Sequence, residues 1–218
     1  MSPESNSKTQ KKMVIIFDLD GTVFKTRDVV ISAVNKSLED VGLPAADDCK
    51  IISVLGEKTD VFCKKLTEDG TPEQRSAFVE RLIHHEIVQI QKQGTLFQGT
   101  EEVLERLKKS RYPLAICSNG SRQYVEFVLD SMDISDLFDH VSSGQNEKPK
   151  GEMIKDILDH FDTDHGLMVG DSIQDIQGAA CAGIPSIGVS YGYGDVNDAV
   201  YKIEALVELL DVIDQVQG

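Results

Sequence analysis

The chain has 218 residues, enough for one core domain with an insertion, and its hydrophobic content of 40% suits a globular protein that needs no covalent staples. Its formal net charge of −15 argues against nucleic acid as a partner, because phosphate backbones require a basic surface. The apolar runs are too short for a membrane span, and the first residues lack the apolar stretch of a signal peptide. We therefore expect a cytoplasmic protein with no membrane partner and a disordered lead-in over residues 1–12.

The first predicted element is a buried strand that ends in acidic residues. Residues 14–17 read VIIF, an unbroken apolar run that is typical of a strand covered on both faces. Asp18 and Asp20 follow and, being two apart, start out towards the same side of the chain. Like charges held close raise one pKa unless a cation or a substrate group separates them. This cost indicates that the two carboxylates have a function.

A long stretch after this strand shows only helical patterns. Apolar residues recur at helical spacing from Val30 until Gly42 ends the pattern. Thr71 and Gln74 form a capping box that opens a longer helix. We predict an inserted all-helical cap domain over residues 25–94, and an α/β core formed by residues 13–24 and 95–218.

Beyond the insertion, strands alternate with helices. The predicted strands are YPLAICSNG up to Ser118, FDHVSSG, GLMVGD up to Asp171, and IPSIGVS, whereas DAVYKIEALVELLDVIDQV is predicted to be the terminal helix. Strands separated by helices imply a doubly wound parallel sheet, so the predicted fold class is α/β with a Rossmann-like core.

Polar residues follow these predicted strands at their carboxyl ends, where ligands bind in an open parallel sheet. They are the carboxylates of Asp18, Asp20, Asp171 and Asp175, the ammonium of Lys148, and the donors of Ser118, Asn119 and Gly120 just before a helix. Carboxylates clustered with carbonyls suit Mg²⁺, and donors at a helix N-terminus suit phosphate oxygens. A bound cation would let Asp18 and Asp20 lie close together and stay charged.

Four motifs occur in the order that the haloacid dehalogenase-like hydrolases show. They are DLDGT, CSNG, the lysine of EKPKG, and GDSIQD, and the resemblance extends from about Met13 to the end of the chain. The helical insertion lies where that family has its smaller cap. The segment VGDSIQDIQGAACAGIPSIGVSYGYG resembles the phosphoglycolate phosphatase branch, although KPKG replaces its usual KPxP and SNG its commoner TN-type motif.

The resemblance implies a role for each matching residue. Asp18 would be the nucleophile that forms an aspartyl-phosphate, and Asp20 the general acid and then the general base. The metal would be held by the Asp18 and Asp171 carboxylates and the Asp20 backbone carbonyl, while Asp175 would contact those ligands or act through water. The groups implied to hold the phosphoryl oxygens or the rest of the substrate are Ser118, Asn119, Gly120 and Lys148. Thr22 would orient the first loop beside the substrate, and Lys58 would bind a substrate carboxylate or be a solvated loop lysine.

The implied function is Mg²⁺-dependent hydrolysis of a small phosphorylated metabolite resembling phosphoglycolate. The alternatives are a sugar-phosphate mutase, an inorganic pyrophosphatase, and a catalytically silent phosphate-binding module. Asp20 disfavours dehalogenation, because dehalogenases of the family lack an aspartate there, and Asp175 disfavours the mutase. The four charged groups Asp18, Asp20, Lys148 and Asp171 together disfavour the silent module.

Overall fold

The computed structural model describes residues 13–144 and 148–217, so the predicted lead-in over residues 1–12 lies outside the described residues. The strands are β1 (Val14–Phe17), β2 (Leu114–Ser118), β3 (His140–Ser143), β4 (Gly166–Gly170), β5 (Ser186–Val189) and β6 (Tyr201–Ile203). The helices are α1 (Thr26–Asp40), α2 (Asp48–Ser53), α3 (Thr59–Leu66), α4 (Pro72–Gln93), α5 (Thr100–Lys109), α6 (Arg122–Ser131), α7 (Lys150–His160), α8 (Ile173–Ala182) and α9 (Leu209–Gln217).

The described strands form one six-stranded sheet in the order β3-β2-β1-β4-β5-β6, and every neighbouring pair is parallel. The chain builds outwards from β1 in one direction through β2 and β3, then returns to place β4 on the other side of β1. The strand order thus reverses beside β1, which creates a crevice at the carboxyl ends of the central strands. The predicted doubly wound α/β fold is confirmed.

Helices cover both faces of the sheet, and the alternation of side chains along β1 shows how. Ile15 and Phe17 pack into a cluster with residues of α5, α6 and α9. Val14 and Ile16 point to the opposite face, where they pack with residues of α7 and α8. An unbroken apolar run is what a strand buried on both faces requires, and all four residues of β1 are fully buried.

Residues 25–94, which we call the helical insertion, contain α1 to α4 and a hydrophobic cluster of their own. The predicted capping box of α4 is present, since Thr71 and Gln74 each accept a hydrogen bond from the other's backbone N–H. The chain leaves and re-enters the core side by side: the Lys25 N–H donates to the Thr95 carbonyl at 2.9 Å. The assignment of the helical insertion as a separate cap domain stays a prediction.

The predicted start of the terminal helix is wrong. Tyr201–Ile203 is strand β6, which pairs in parallel with β5, and α9 begins only at Leu209. Among the described residues, no helix has both the length and the apolar character needed to cross a bilayer.

Candidate active site

The end of β1 places the Asp18 carboxylate at the centre of a buried ion-pair cluster. The Asp18 N–H donates to the Val169 carbonyl of β4 at 2.8 Å, which extends the strand pairing to this residue. Its side chain is 10% exposed, and Oδ1 lies 2.5 Å from the Lys150 ammonium. Lys150 is the first residue of α7 and also lies 2.5 Å from Oδ1 of Asp175. One buried ammonium therefore joins acids from two different strand ends.

The prediction that Lys148 joins this cluster is wrong, and Lys150 takes that place. Lys148 precedes the helix and pairs with Asp156 on the exposed side of α7. Lys150 shares the buried face of α7 with Ile154 and Ile157, and its side chain is only 5% exposed. The helical spacing of 150, 154 and 157 was the signal in the sequence that indicated a buried lysine.

The end of β4 supplies the second half of the acidic cluster. Oδ2 of Asp171 accepts a hydrogen bond from the Tyr193 N–H at 2.7 Å. Asp175 is fully buried in the first turn of α8, where its Oδ2 accepts hydrogen bonds from the backbone and hydroxyl of Ser172. Gly21 has a φ of +80°, and a Cβ there would lie 2.1 Å from Oδ2 of Asp171. The loop after β1 can therefore approach Asp171 only with glycine at this position.

The cluster carries more negative charge than the protein compensates. Oxygens of Asp18, Asp171 and Asp175 lie within 4.8 Å of one another, and the Lys150 ammonium contacts those of Asp18 and Asp175. Burial raises the pKa of Asp18 well above its ordinary value against the opposing pull of Lys150, and burial together with Asp175 raises the pKa of Asp171 to about 7. Buried oxygen donors with excess negative charge fit a hard divalent cation. The donor set thus agrees with the predicted metal site.

The Asp20 side chain is oriented by two hydroxyl groups. Its Oδ1 accepts a hydrogen bond from Thr26 at 2.5 Å and another from Tyr124 at 2.6 Å. Burial raises the pKa of Asp20, while these two hydrogen bonds oppose the rise. With both donors on Oδ1, Oδ2 remains for proton transfer.

Sequence reasoning missed Thr26 and Tyr124. Tyr124 lies in the first turn of α6, whose N-cap Ser121 accepts a hydrogen bond from the Tyr124 N–H at 3.3 Å. The only signal in the sequence was that Tyr124 follows the CSNG motif by four residues.

The end of β2 brings Ser118, Asn119 and Gly120 to the same edge. Ser118 is 1% exposed, and its Oγ accepts a hydrogen bond from the Gly120 N–H at 3.1 Å. The Asn119 side-chain amide donates to the Gly56 carbonyl at 2.7 Å. Asn119 therefore connects the sheet edge to the helical insertion.

Two cavities lie between the sheet edge and the helical insertion. The larger, of about 260 Å³, is lined by Asp18, Asp20 and the three residues 118–120, and extends into the helical insertion. The smaller, of about 190 Å³, reaches Asp171. Asp20 and residues 55–57 line both cavities.

Two predicted substrate-binding residues lie outside the walls of these cavities. Thr22 is fully buried, and its carbonyl accepts a hydrogen bond from the Tyr191 hydroxyl at 2.9 Å, so it helps to fix the loop after β1. Lys58 directly precedes α3 and does not line the larger cavity, although its neighbours Glu57 and Thr59 do.

Fold and site together define a Rossmann-like α/β protein whose acidic centre lies at the switch point of its sheet. A family model described as haloacid dehalogenase-like hydrolase matches residues 15–189. The chain is 30% identical over 190 residues to a phosphoglycolate phosphatase of Agrobacterium fabrum (strain C58), with 83% of this chain and 82% of that protein covered. It is 29% identical over 212 residues to a phosphoglycolate phosphatase of Salmonella typhimurium (strain LT2), covering 85% of this chain and 84% of that protein.

A solved structure described as a predicted phosphoglycolate phosphatase from Haemophilus somnus 129pt superposes with a TM-score of 0.88. It is 24% identical, and the match covers 94% of this chain and 99% of that chain, so this likeness supports the fold alone. The chain belongs to the haloacid dehalogenase-like hydrolase family. The predicted resemblance to its phosphatase-type hydrolases, and among them to the phosphoglycolate phosphatase branch, is confirmed.

Proposed function

We propose that the protein hydrolyses a small phosphomonoester in the cytoplasm, in a Mg²⁺-dependent reaction that passes through an aspartyl-phosphate on Asp18. One observation carries the proposal: the Asp18 carboxylate lies at the base of a cavity, paired with buried Lys150, while the oriented carboxyl of Asp20 lines the same cavity. A carboxylate nucleophile needs no activating base, only neutralisation of charge on the phosphoryl group.

In the first step an oxygen of Asp18 attacks phosphorus, and the bond from phosphorus to the leaving oxygen breaks. Asp20 gives its proton to that oxygen, and the alcohol leaves. In the second step Asp20 takes a proton from water, whose oxygen attacks phosphorus and displaces the Asp18 carboxylate. Asp20 must be protonated at the start, and its raised pKa supports that state.

The phosphoryl oxygens would be held by groups at the ends of β2 and α7. The Lys150 ammonium lies beside Asp18 and offers positive charge where the transferred group develops negative charge. Ser118, Asn119 and Gly120 line the same cavity and supply hydroxyl, amide and backbone donors.

The Asp18 and Asp171 carboxylates and the Asp20 backbone carbonyl would hold Mg²⁺. Asp175 would act indirectly, because its oxygens contact Ser172 and Lys150. The cation, when bound, offsets the negative charge of the acidic cluster and of the phosphate. A cation held there would favour the ionised form of Asp18, which burial disfavours by raising its pKa.

The cavity also bears on the alternatives. Its wall in the helical insertion is largely apolar, which disfavours pyrophosphate, whose leaving group is a second highly charged phosphate. The names of the relatives make phosphoglycolate the first natural ester to test.

The test is hydrolysis of p-nitrophenyl phosphate by the purified protein with Mg²⁺ and with a chelator. We expect turnover only with Mg²⁺, and none in Asp18→Asn, because the amide cannot attack phosphorus. Asp136→Asn, at an exposed position, is the matched control and should keep wild-type turnover. Thermal unfolding would show whether both variants are folded. Wild-type turnover in Asp18→Asn would refute the nucleophile, and lack of turnover under all conditions would favour a silent binding module.

A further inference from the structure

The larger cavity has two chemically different ends. At the sheet edge it is polar, with Asp18, Ser118 and Asn119. At the other end the helical insertion forms a wall that we call the leaving-group chamber. Besides Thr26, Glu57, Thr59 and Glu86, it contains the apolar side chains of Val30, Leu55, Phe62, Cys63, Val79, Leu82 and Ile83. With phosphorus against Asp18, the alcohol part of an ester would extend into this chamber.

The chamber is largely apolar because part of the hydrophobic cluster of the helical insertion also lines the cavity. Val30, Phe62 and Leu82 are almost fully buried members of the hydrophobic cluster of the helical insertion. Val79 and Ile83, one turn apart on α4, are 36% and 40% exposed and also line the cavity. A cavity of about 260 Å³ is small beside typical ligand pockets, so the alcohol must be small.

The charged residues of the whole cavity are all acidic. Among the described residues that line it there is no lysine, arginine or histidine, whereas four lining residues carry carboxyl groups: Asp18, Asp20, Glu57 and Glu86. Glu57 pairs with Lys65 at 2.6 Å, outside the cavity wall. Burial and the negative charge of Asp20 raise the pKa of Glu86 to about 8. The environment of Glu86 thus already disfavours one more negative charge.

A substrate carboxylate in this chamber would lose its hydration shell and find no cation among the described residues of the wall. Taking a charged group out of water without a partner is strongly unfavourable, and the acidic residues of the wall offer it no compensating positive charge. An alkyl group of the same size would instead gain contact with the apolar side chains.

We propose that this enzyme selects phosphomonoesters of small, uncharged, largely apolar alcohols and discriminates against esters whose alcohol carries a second anionic group, phosphoglycolate included. The inference rests on the proposed phosphatase function and specifies the substrate class of the same site. The apolar chamber and the all-acidic set of charged lining residues support it together.

The first test compares phosphoglycolate with isobutyl phosphate, which has two methyl groups in place of the two carboxylate oxygens. With the Mg²⁺-loaded wild-type protein we expect kcat/KM for isobutyl phosphate to exceed that for phosphoglycolate by at least about tenfold. An equal or higher kcat/KM for phosphoglycolate would overturn the inference.

The second test adds a cation to the chamber. Ile83→Arg should shift the ratio of the two kcat/KM values towards phosphoglycolate by about tenfold or more, relative to the uncharged variant Ile83→Gln. Val88→Arg places the same charge on the same helix outside the cavity wall, where Val88 is 39% exposed, and should leave the ratio unchanged. An equal shift in Val88→Arg, or no shift in Ile83→Arg, would contradict the role of the chamber.

The outcomes separate the inference from the function on which it rests. Turnover that depends on Asp18 but prefers phosphoglycolate overturns the inference and leaves the phosphatase function intact. Absence of turnover with both esters and with p-nitrophenyl phosphate overturns both.

Discussion

Replacing Lys150 by methionine tests the most specific feature of the site. The ammonium lies 2.5 Å from Asp18 and 2.5 Å from Asp175, and its side chain is 5% exposed. Coulomb's law with an effective dielectric of about 20 gives roughly 7 kcal/mol of attraction for each contact, most of which offsets desolvation. Removing one partner of a buried pair costs about 3–5 kcal/mol, so we expect the metal-free protein to lose stability of that order in Lys150→Met.

The loss should depend on pH in a defined direction. Lys150 lowers the pKa of Asp18 and of Asp171, so these acids bind protons more readily in the variant. Proton uptake relieves the uncompensated negative charge, and the stability difference from wild type should therefore shrink at pH 5 and grow at pH 8. Urea unfolding in EDTA across this range measures it.

Turnover should fall as well, because the proposed phosphoryl transfer to Asp18 loses the ammonium beside the nucleophile. Loss of one such group typically costs about 10²–10³ in kcat. Lys148→Met is the matched control: Lys148 pairs with Asp156 on the exposed side of α7, and its removal should leave turnover and unfolding unchanged. Wild-type kcat in Lys150→Met, or a comparable loss in Lys148→Met, would refute the assignment of Lys150.

Three further variants test other groups of the site. Asp20→Asn should slow breakdown of the phosphoenzyme in single-turnover experiments while Mg²⁺ binding persists; an unchanged breakdown rate would count against the acid and base role. Tyr124→Phe removes a hydrogen bond that lowers the pKa of Asp20. The limb of the kcat–pH profile that reports Asp20 should therefore move to higher pH. An unchanged position of this limb would contradict the prediction. Glu86 has a folded-state pKa of about 8 against 4.5 ordinarily, so wild-type stability should fall between these values as pH rises. Glu86→Gln should lack this pH dependence, so its free energy of unfolding should rise relative to that of wild type by up to about 1.4 kcal/mol per pH unit. Parallel curves of unfolding free energy against pH for the two proteins would contradict the raised pKa of Glu86.

Most strands of the sheet could be predicted because a strand buried on both faces is an unbroken run of apolar residues. The unbroken apolar run before Asp18 matches a central strand, and the polar residues after β1, β2 and β4 do gather at one edge. Strand β6 was missed because Tyr201–Ile203 is short, lies at the sheet edge, and fits the helical spacing of the segment that follows it. Pairing with β5, a tertiary effect, decided its structure.

For the site, too, local sequence patterns predicted some features, whereas others depend on tertiary contacts. Lys148 and Lys150 are two residues apart, and motif matching favoured Lys148, whereas burial of one face of α7 selects Lys150. The contact of Tyr124 with Asp20 joins residues 104 positions apart, and spacing along the chain carries no record of such a contact. Sequence patterns therefore located the acidic centre, while the cation beside it and the orientation of Asp20 required the fold.

The adjacent entry and exit of the helical insertion have a consequence for how such a protein can change. Phe24 forms an isolated bridge with Leu96, and Lys25 and Thr95 are hydrogen-bonded. If the helical insertion were removed, the two ends of the core chain would therefore already be adjacent. Strand order and register of the sheet involve no residue of that stretch. Duplication, deletion or exchange at this junction would thus replace the segment that covers the cavity. The sheet edge that carries the acidic residues would stay unchanged.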